Sequence, residues 1–272
     1  VREADRDRYL ATLFAPADRR DALFALYAFN VEIARVRDVA REPLPGEIRL
    51  QWWREVLLGE RDGEAAAHPV AAALRETLGH YGFVAAPLLE LIEARTFDLY
   101  DAPMASIADL ELYGIRTQSP VFAMASGILG AGKALPDLFT LDAGVAYTIG
   151  AILSRLGRHA SRKQLYVPLD VLDRHRVASE DIFAGRASDA LHAALAELRK
   201  LAREHLAAAQ EKLKSAPPEI LPALLPLALV GPMLRRMEQA GYAPFAFEPA
   251  TPWRRQWQLW RAARDPSRIF AR

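Results

Sequence analysis

Residues Ala22 to Phe29 read A-L-F-A-L-Y-A-F, which leaves a helix no polar face. A helix that is apolar all round cannot lie on a surface, so it must sit among other packed elements. From Asn30 the pattern changes to N-V-E-I-A-R-V-R-D. Ile33 and Val36 continue one apolar stripe, Glu32, Arg35 and Asp38 interrupt it, and the helix is expected to end by Pro43, Pro45 and Gly46.

The remainder of the chain repeats the helical period. R-L-Q-W-W-R-E-V-L-L stops at Gly59, and Leu88, Leu91, Ile92 and Leu99 fall on one helical face. Ser106-Ile-Ala-Asp109 reads as a capping box. After Ser119-Pro120 comes V-F-A-M-A-S-G-I-L-G, whose small residues permit close approach of a helix or of a ligand. No segment alternates at period 2 between turn signals, and no repeat or low-complexity linker divides the chain. The expectation is a single all-α domain over residues 1–272, built of about ten helices.

Composition narrows the functional classes. Lys+Arg 35 against Asp+Glu 34 gives a net charge of +1, so no global field attracts nucleic acid, and any basic site must be local. Without cysteine there is no disulfide, thiolate nucleophile or Cys-based metal site. The nearly uncharged run Ile220 to Leu234 carries Pro222, Pro226 and Pro232 and is shorter than a membrane span, so it reads as core. The first ten residues are too charged for a secretory signal. Gly130 to Lys133, G-A-G-K, lacks the spacing of a phosphate loop and reads as a helix break. The six histidines are scattered, with none paired at metal-binding spacing.

Two stretches stand out. From Leu141 to His159 one apolar helix is expected, with Tyr147, Ile149, Ile152, Leu153 and Leu156 on its buried face. It then turns basic through Arg155, Arg158, His159, Arg162 and Lys163 with no acid among them. Near the end, Trp253, Trp257 and Trp260 stand at i, i+4 and i+7 among Arg254, Arg255, Arg261 and Arg264. The expectation there is a terminal helix packing its tryptophans on the core. The other reading is a helix that lies in a membrane interface or docks on a partner.

D-R-R-D-A-L-F-A-L-Y-A-F, L-E-L-Y-G-I-R-T-Q-S-P-V and S-R-K-Q-L-Y-V-P together resemble the squalene/phytoene synthase family along nearly the whole chain. The resemblance implies an all-α isoprenoid-synthase fold around a large apolar cavity. In that family Mg2+ at the cavity mouth is held by D-x-x-x-D carboxylates on two facing helices and stabilises the leaving diphosphate. This sequence departs at both walls: Ala34, Arg35 and Asp38 stand at the first motif, and Ala151, Arg155 and His159 at the second. Only one carboxylate is left. Coulomb repulsion between Mg2+ and these cations argues against a metal, so none is expected.

Y-A-F-N-V-E-I-A-R-V-R-D, R-L-Q-W-W-R and S-R-K-Q-L-Y-V-P-L-D are more similar still to the branch of the family that includes a mitochondrial respiratory complex I assembly factor. This implies a non-catalytic assembly or scaffold protein whose partners are respiratory-complex subunits or other assembly factors. It would work in a bacterial cytoplasm or a mitochondrial matrix, peripheral to the inner membrane. At the mouth, Asp38 or Glu32 is expected to pair with Arg155 or His159, closing directly what metal closes in the enzymes. Two other readings stay open. One is a prenyl diphosphate transferase using Mg2+, with Arg155, Arg158 and Arg162 clamping phosphate. The other is a passive lipid-binding protein touching a membrane through Trp253, Trp257 and Trp260.

Overall fold

The computed structural model describes residues 1–40, 42–130, 138–213 and 216–270, and every regular element among them is helical. The all-apolar segment lies in α1 (Arg20–Ala34), where Leu23, Leu26, Tyr27, Phe29 and Ile33 are all buried. Next comes α2 (Pro43–Leu58), with prolines in its first turn and Gly59 in the left-handed conformation (φ 80°) that closes a helix. Trp53 of α2 meets Phe29 edge-on with ring centres 5.1 Å apart, which locks the first two helices together.

The next helices are α3 (Pro69–Tyr81), α4 (Ala86–Arg95), α5 (Ile107–Thr117) and α6 (Ser119–Leu129). Ser106 caps α5 by accepting from the Asp109 N–H at 3.2 Å while its hydroxyl donates to the Asp109 carboxylate at 2.6 Å. The small residues of α6 serve helix contact. A Cβ added to Gly127 would lie 2.8 Å from the Phe83 ring. The break expected at Gly130 to Lys133 falls mostly outside the described residues.

The central helix is α7 (Leu138–Ser154), flanked by α5 and by α8 (Asp189–Leu213). A Cβ on Gly144 would lie 2.7 Å from the Ser119 nitrogen, and one on Gly114 3.0 Å from Val145 Cα. Only glycine allows these backbones so close. Ile220 to Leu234 belongs to a longer helical stretch, Pro218–Arg236, whose 19 residues match a membrane span by length and composition. It is broken into short turns at its prolines, and Ile220, Leu224, Leu225, Leu227, Val230 and Leu234 are buried in the core. The last long helix is α9 (Pro252–Arg264).

Two apolar clusters result. One lies under α1 to α4, α6 and the inner side of α9, the other between α5, α7 and α8, and Tyr147 of α7 packs against both. Beside Tyr147, a cavity opens toward the C-terminal ends of α1 and α7.

Candidate functional site

Both walls of the cavity mouth are broken helices. α1 stops at Ala34, Arg35 leaves helical geometry (φ −100°, ψ 3°), and Asp38 rides on a single turn, Val36–Val39. α7 stops at Ser154, Arg155 leaves helical geometry in the same way (φ −116°, ψ 15°), and Arg158 and His159 ride on a short helix, Leu156–Ser161. The uninterrupted helices expected up to Pro43 and from Leu141 to His159 are therefore each split at an arginine. At the second break Ser154 Oγ donates back to the Ala151 carbonyl at 2.9 Å, a bond that competes with the helical ladder. The short helix then seats its Gly157 directly under the Phe245 carbonyl, where any Cβ would overlap it.

The cavity has a volume of about 700 Å³, and Ala34, Arg35, Asp38, Ala151, Arg155, Arg158, His159 and Arg162 all line it. An ion pair does cross the mouth, but not the one expected. Asp38 accepts from Arg158 Nη2 at 2.8 Å through one oxygen and from Arg162 through the other. The cause is the break at Arg155: the short helix after it turns Arg158 and Arg162, rather than Arg155 or His159, toward Asp38. Burial works against the Asp38 carboxylate, but the Arg162 hydrogen bond and the charges of both arginines outweigh it and lower its pKa. Glu32 is not at the mouth. It faces a neighbouring groove lined by Trp52, Trp53 and Ile48, where it meets Arg49 at 3.4 Å and His68 at 3.8 Å.

Arg35 and Arg155 line the cavity without a hydrogen-bond or ion-pair partner among the described residues. His159 lies against the Tyr166 ring, with centres 4.6 Å apart, and its Nδ1 is buried without a partner among the described residues. Burial first, and the charges of Arg155, Arg158 and Arg162 after it, push its pKa down to about 4, so the imidazole is neutral at physiological pH.

Sequence reasoning missed the floor of this cavity. Asp98, 8% exposed, receives the Tyr113 hydroxyl at 2.7 Å and the Tyr166 hydroxyl at 2.6 Å on one oxygen, and Arg95 Nη1 at 3.0 Å on the other. The same Arg95 nitrogen reaches the Tyr113 oxygen at 2.6 Å, and Gln164 Nε2 donates to the Asp98 carbonyl at 3.1 Å. Burial raises the pKa of both tyrosines, and the Asp98 charge adds to it, which keeps them neutral donors. A second buried cation, Arg8, binds Asp5 at 3.0 Å and Gln118 at 2.8 Å and lies 4.9 Å from the Tyr147 ring centre. The large apolar cavity implied by the resemblance is present as a cavity, but its lining is more polar than expected. Val31, Ile152, Leu229, Val230 and Met233 line it together with the charged, hydrogen-bonded groups of the floor.

The donors at the mouth do not fit Mg2+. Asp38 is the one carboxylate left at the two motifs, and both its oxygens already accept from guanidinium groups. Among the described residues no group of three or more His, Asp or Glu side chains could hold a metal ion. A hard cation needs several oxygen ligands, and here it would meet arginines.

The tryptophan helix also departs from expectation. Trp253 is 64% and Trp257 51% exposed, while the core contact of α9 is made by Leu259 and Ala262.

The sequence profile of the squalene/phytoene synthase family matches residues 1–261. Human "NADH dehydrogenase (ubiquinone) complex I, assembly factor 6" is 27% identical over 245 residues, covering 90% of this chain and 74% of its own length. The 15-cis-phytoene synthase of Synechocystis is 26% identical over 189 residues, covering 65% of this chain and 56% of its own. Among solved structures, a dehydrosqualene synthase crystallised with a ligand superposes with a TM-score of 0.80 at 19% identity, covering 98% of this chain and 93% of its own. That likeness carries the fold.

Proposed function

The chain belongs to the squalene/phytoene synthase family, and from that premise we propose that it is an assembly or scaffold protein for respiratory complex I or a similar membrane complex, working without Mg2+ and without prenyl transfer. The observation that carries this reading is the loss of every carboxylate but Asp38 from the two motifs, in a chain that still matches an assembly factor along 90% of its length. Ionising a diphosphate requires charge stabilisation that grows in the transition state. A rim whose single carboxylate is tied by Arg158 and Arg162 offers no seat for the metals that supply this. The partners are then subunits of the complex or other assembly factors, and the protein works beside the membrane that holds them.

The test is an affinity purification from the native host. Recovery of respiratory-complex subunits is the expected result. Incubation with farnesyl or geranylgeranyl diphosphate and Mg2+ tests the competing transferase reading, and clear release of pyrophosphate overturns the proposal.

A second reading, passive holding of an anionic amphiphile, is favoured by Arg35 and Arg155, which line the cavity without a hydrogen-bond or ion-pair partner among the described residues, together with apolar side chains. Native mass spectrometry after gentle purification is expected to retain such a molecule, and Arg35→Gln with Arg155→Gln to release it.

A further inference from the structure

We propose that the outward face of α9 docks the protein on an anionic lipid surface. At about 3.6 residues per turn, Trp253, Trp257, Trp260 and Arg264 share one face, and Leu259 and Ala262 lie on the opposite side. The burial pattern agrees, with Leu259 and Ala262 buried and Trp253 and Trp257 mostly exposed. Arg255 turns inward and binds Asp7 of the Arg6–Thr12 helix, which fixes how α9 is rotated on the body. The stripe of indoles is therefore held outward by the fold and is not free to roll under.

The chemistry of that face selects its occupant. The Trp257 and Trp260 rings stack with centres 4.9 Å apart, the Arg264 guanidinium lies 4.0 Å from the Trp260 ring centre, and that of Arg254 lies 5.3 Å from Trp253. Arg254 and Arg261 flank the stripe, and from Pro252 to Arg264 there is no acidic residue. Indole has an apolar body and one N–H donor, the combination that settles at the level of lipid headgroups. Guanidinium groups held beside the rings, rather than on the far side of the helix, meet lipid phosphates at that same depth. A partner protein would have to offer both a trough for flat rings and an acidic border, whereas an anionic bilayer offers the two together. This goes beyond the assembly reading and stands on separate observations.

Sedimentation of the full chain with vesicles tests it. Binding to phosphatidylcholine containing about a third phosphatidylglycerol is expected to exceed binding to phosphatidylcholine alone by roughly tenfold or more, and to weaken as salt is raised. Tryptophan emission should shift to the blue on binding. Trp253→Ala with Trp257→Ala should lower binding to the anionic vesicles about tenfold or more. Arg254→Gln, Arg261→Gln and Arg264→Gln together should remove the preference for anionic over neutral vesicles. These side chains face outward, so unchanged melting curves are expected and are checked first; if the alanine pair does not fold, the arginine variant alone decides. Val39→Ser with Ile48→Ser, an exposed apolar pair elsewhere, should bind as the wild type does.

Equal binding to both vesicle types, or variants of α9 that bind as well as the wild type, overturns the proposal. So does loss of binding in the Val39/Ile48 variant, or self-association through the tryptophans with no vesicle binding. Purification from the host reads the assembly role separately, so either idea can fail without the other.

Discussion

The rim and the floor of the cavity both hold an aspartate between basic and polar partners, and they differ in how much water reaches them. At the rim the side chains of Asp38, Arg158 and Arg162 are 23%, 51% and 37% exposed. At the floor those of Asp98 and Arg95 are 10% and 13% exposed, and two tyrosine hydroxyls complete the shell of the carboxylate. Wet ion pairs gain little over hydration, whereas a charge in a dry site depends on every partner it has. Similar chemistry therefore serves two purposes. The floor joins the end of α4, α5 and the segment carrying Tyr166, and the rim ties the turn after α1 to the short helix after α7.

The largest effect that separates the two comes from removing the inner carboxylate. Asp98→Ala leaves Arg95 as a buried cation and two tyrosine hydroxyls without their acceptor. Loss of one partner from such a site costs about 3–5 kcal/mol. The expected result is a large drop in the denaturant midpoint, measured by helical circular dichroism. A change comparable to that of a surface substitution would mean that water already reaches the floor, and the contrast would collapse.

His159 sits between the two regions and gives a pH signature of its own. Its folded pKa is about 4 against an ordinary 6.5, because burial and three arginines disfavour the imidazolium. Between those values the unfolded chain binds the proton and the folded chain does not, so stability falls as the pH falls from 6.5 to about 4. Over the full window this group removes up to about 3 kcal/mol. The difference between wild type and His159→Gln, followed by denaturant unfolding at pH 8 and pH 4.5, isolates that loss. Arg155→Ala sharpens the point: it should leave stability at pH 8 nearly unchanged yet reduce the acid loss, since Arg155 is the largest charge acting on the ring. Asp38 behaves differently. Its pKa lies below the ordinary 3.8, so the stability it supplies is complete above that value and is lost as the pH falls through the lower one.

The α-helical fold was legible because A-L-F-A-L-Y-A-F is apolar all round and the segments after it carry the helical period with no alternation to compete. The rim was half legible. The substitutions at Ala34, Arg35, Ala151, Arg155 and His159 are visible in the sequence. The turns at Arg35 and Arg155 are not, because neither arginine is a helix breaker, and without those turns the wrong pair is drawn. The floor was hidden for another reason. Asp98 is followed by the buried Leu99 and lies 15 residues from Tyr113 and 68 from Tyr166, so only the packed fold brings them together. One signal was present, since both tyrosines lie in the motifs that carry the family resemblance. For the tryptophans the sequence showed the stripe but not its direction, which the inward turn of Arg255 toward Asp7 decides.

The smallest effect is the most discriminating, because it measures the rim by itself. A double-mutant cycle between Asp38→Ala and Arg158→Ala reads their coupling with other losses cancelled. In the single Arg158→Ala variant Asp38 keeps Arg162, so little stability is lost and no uncompensated buried charge is created. The coupling energy expected for such a half-exposed pair is about 0.2–1 kcal/mol. It should shrink further near 1 M salt, where the screening length is about 3 Å. Chemical denaturation of the four proteins at low and high salt checks both statements. A coupling of several kcal/mol that ignores salt would show that the rim is as dry as the floor, and that the ion pair across the mouth is part of the core rather than a latch on its surface.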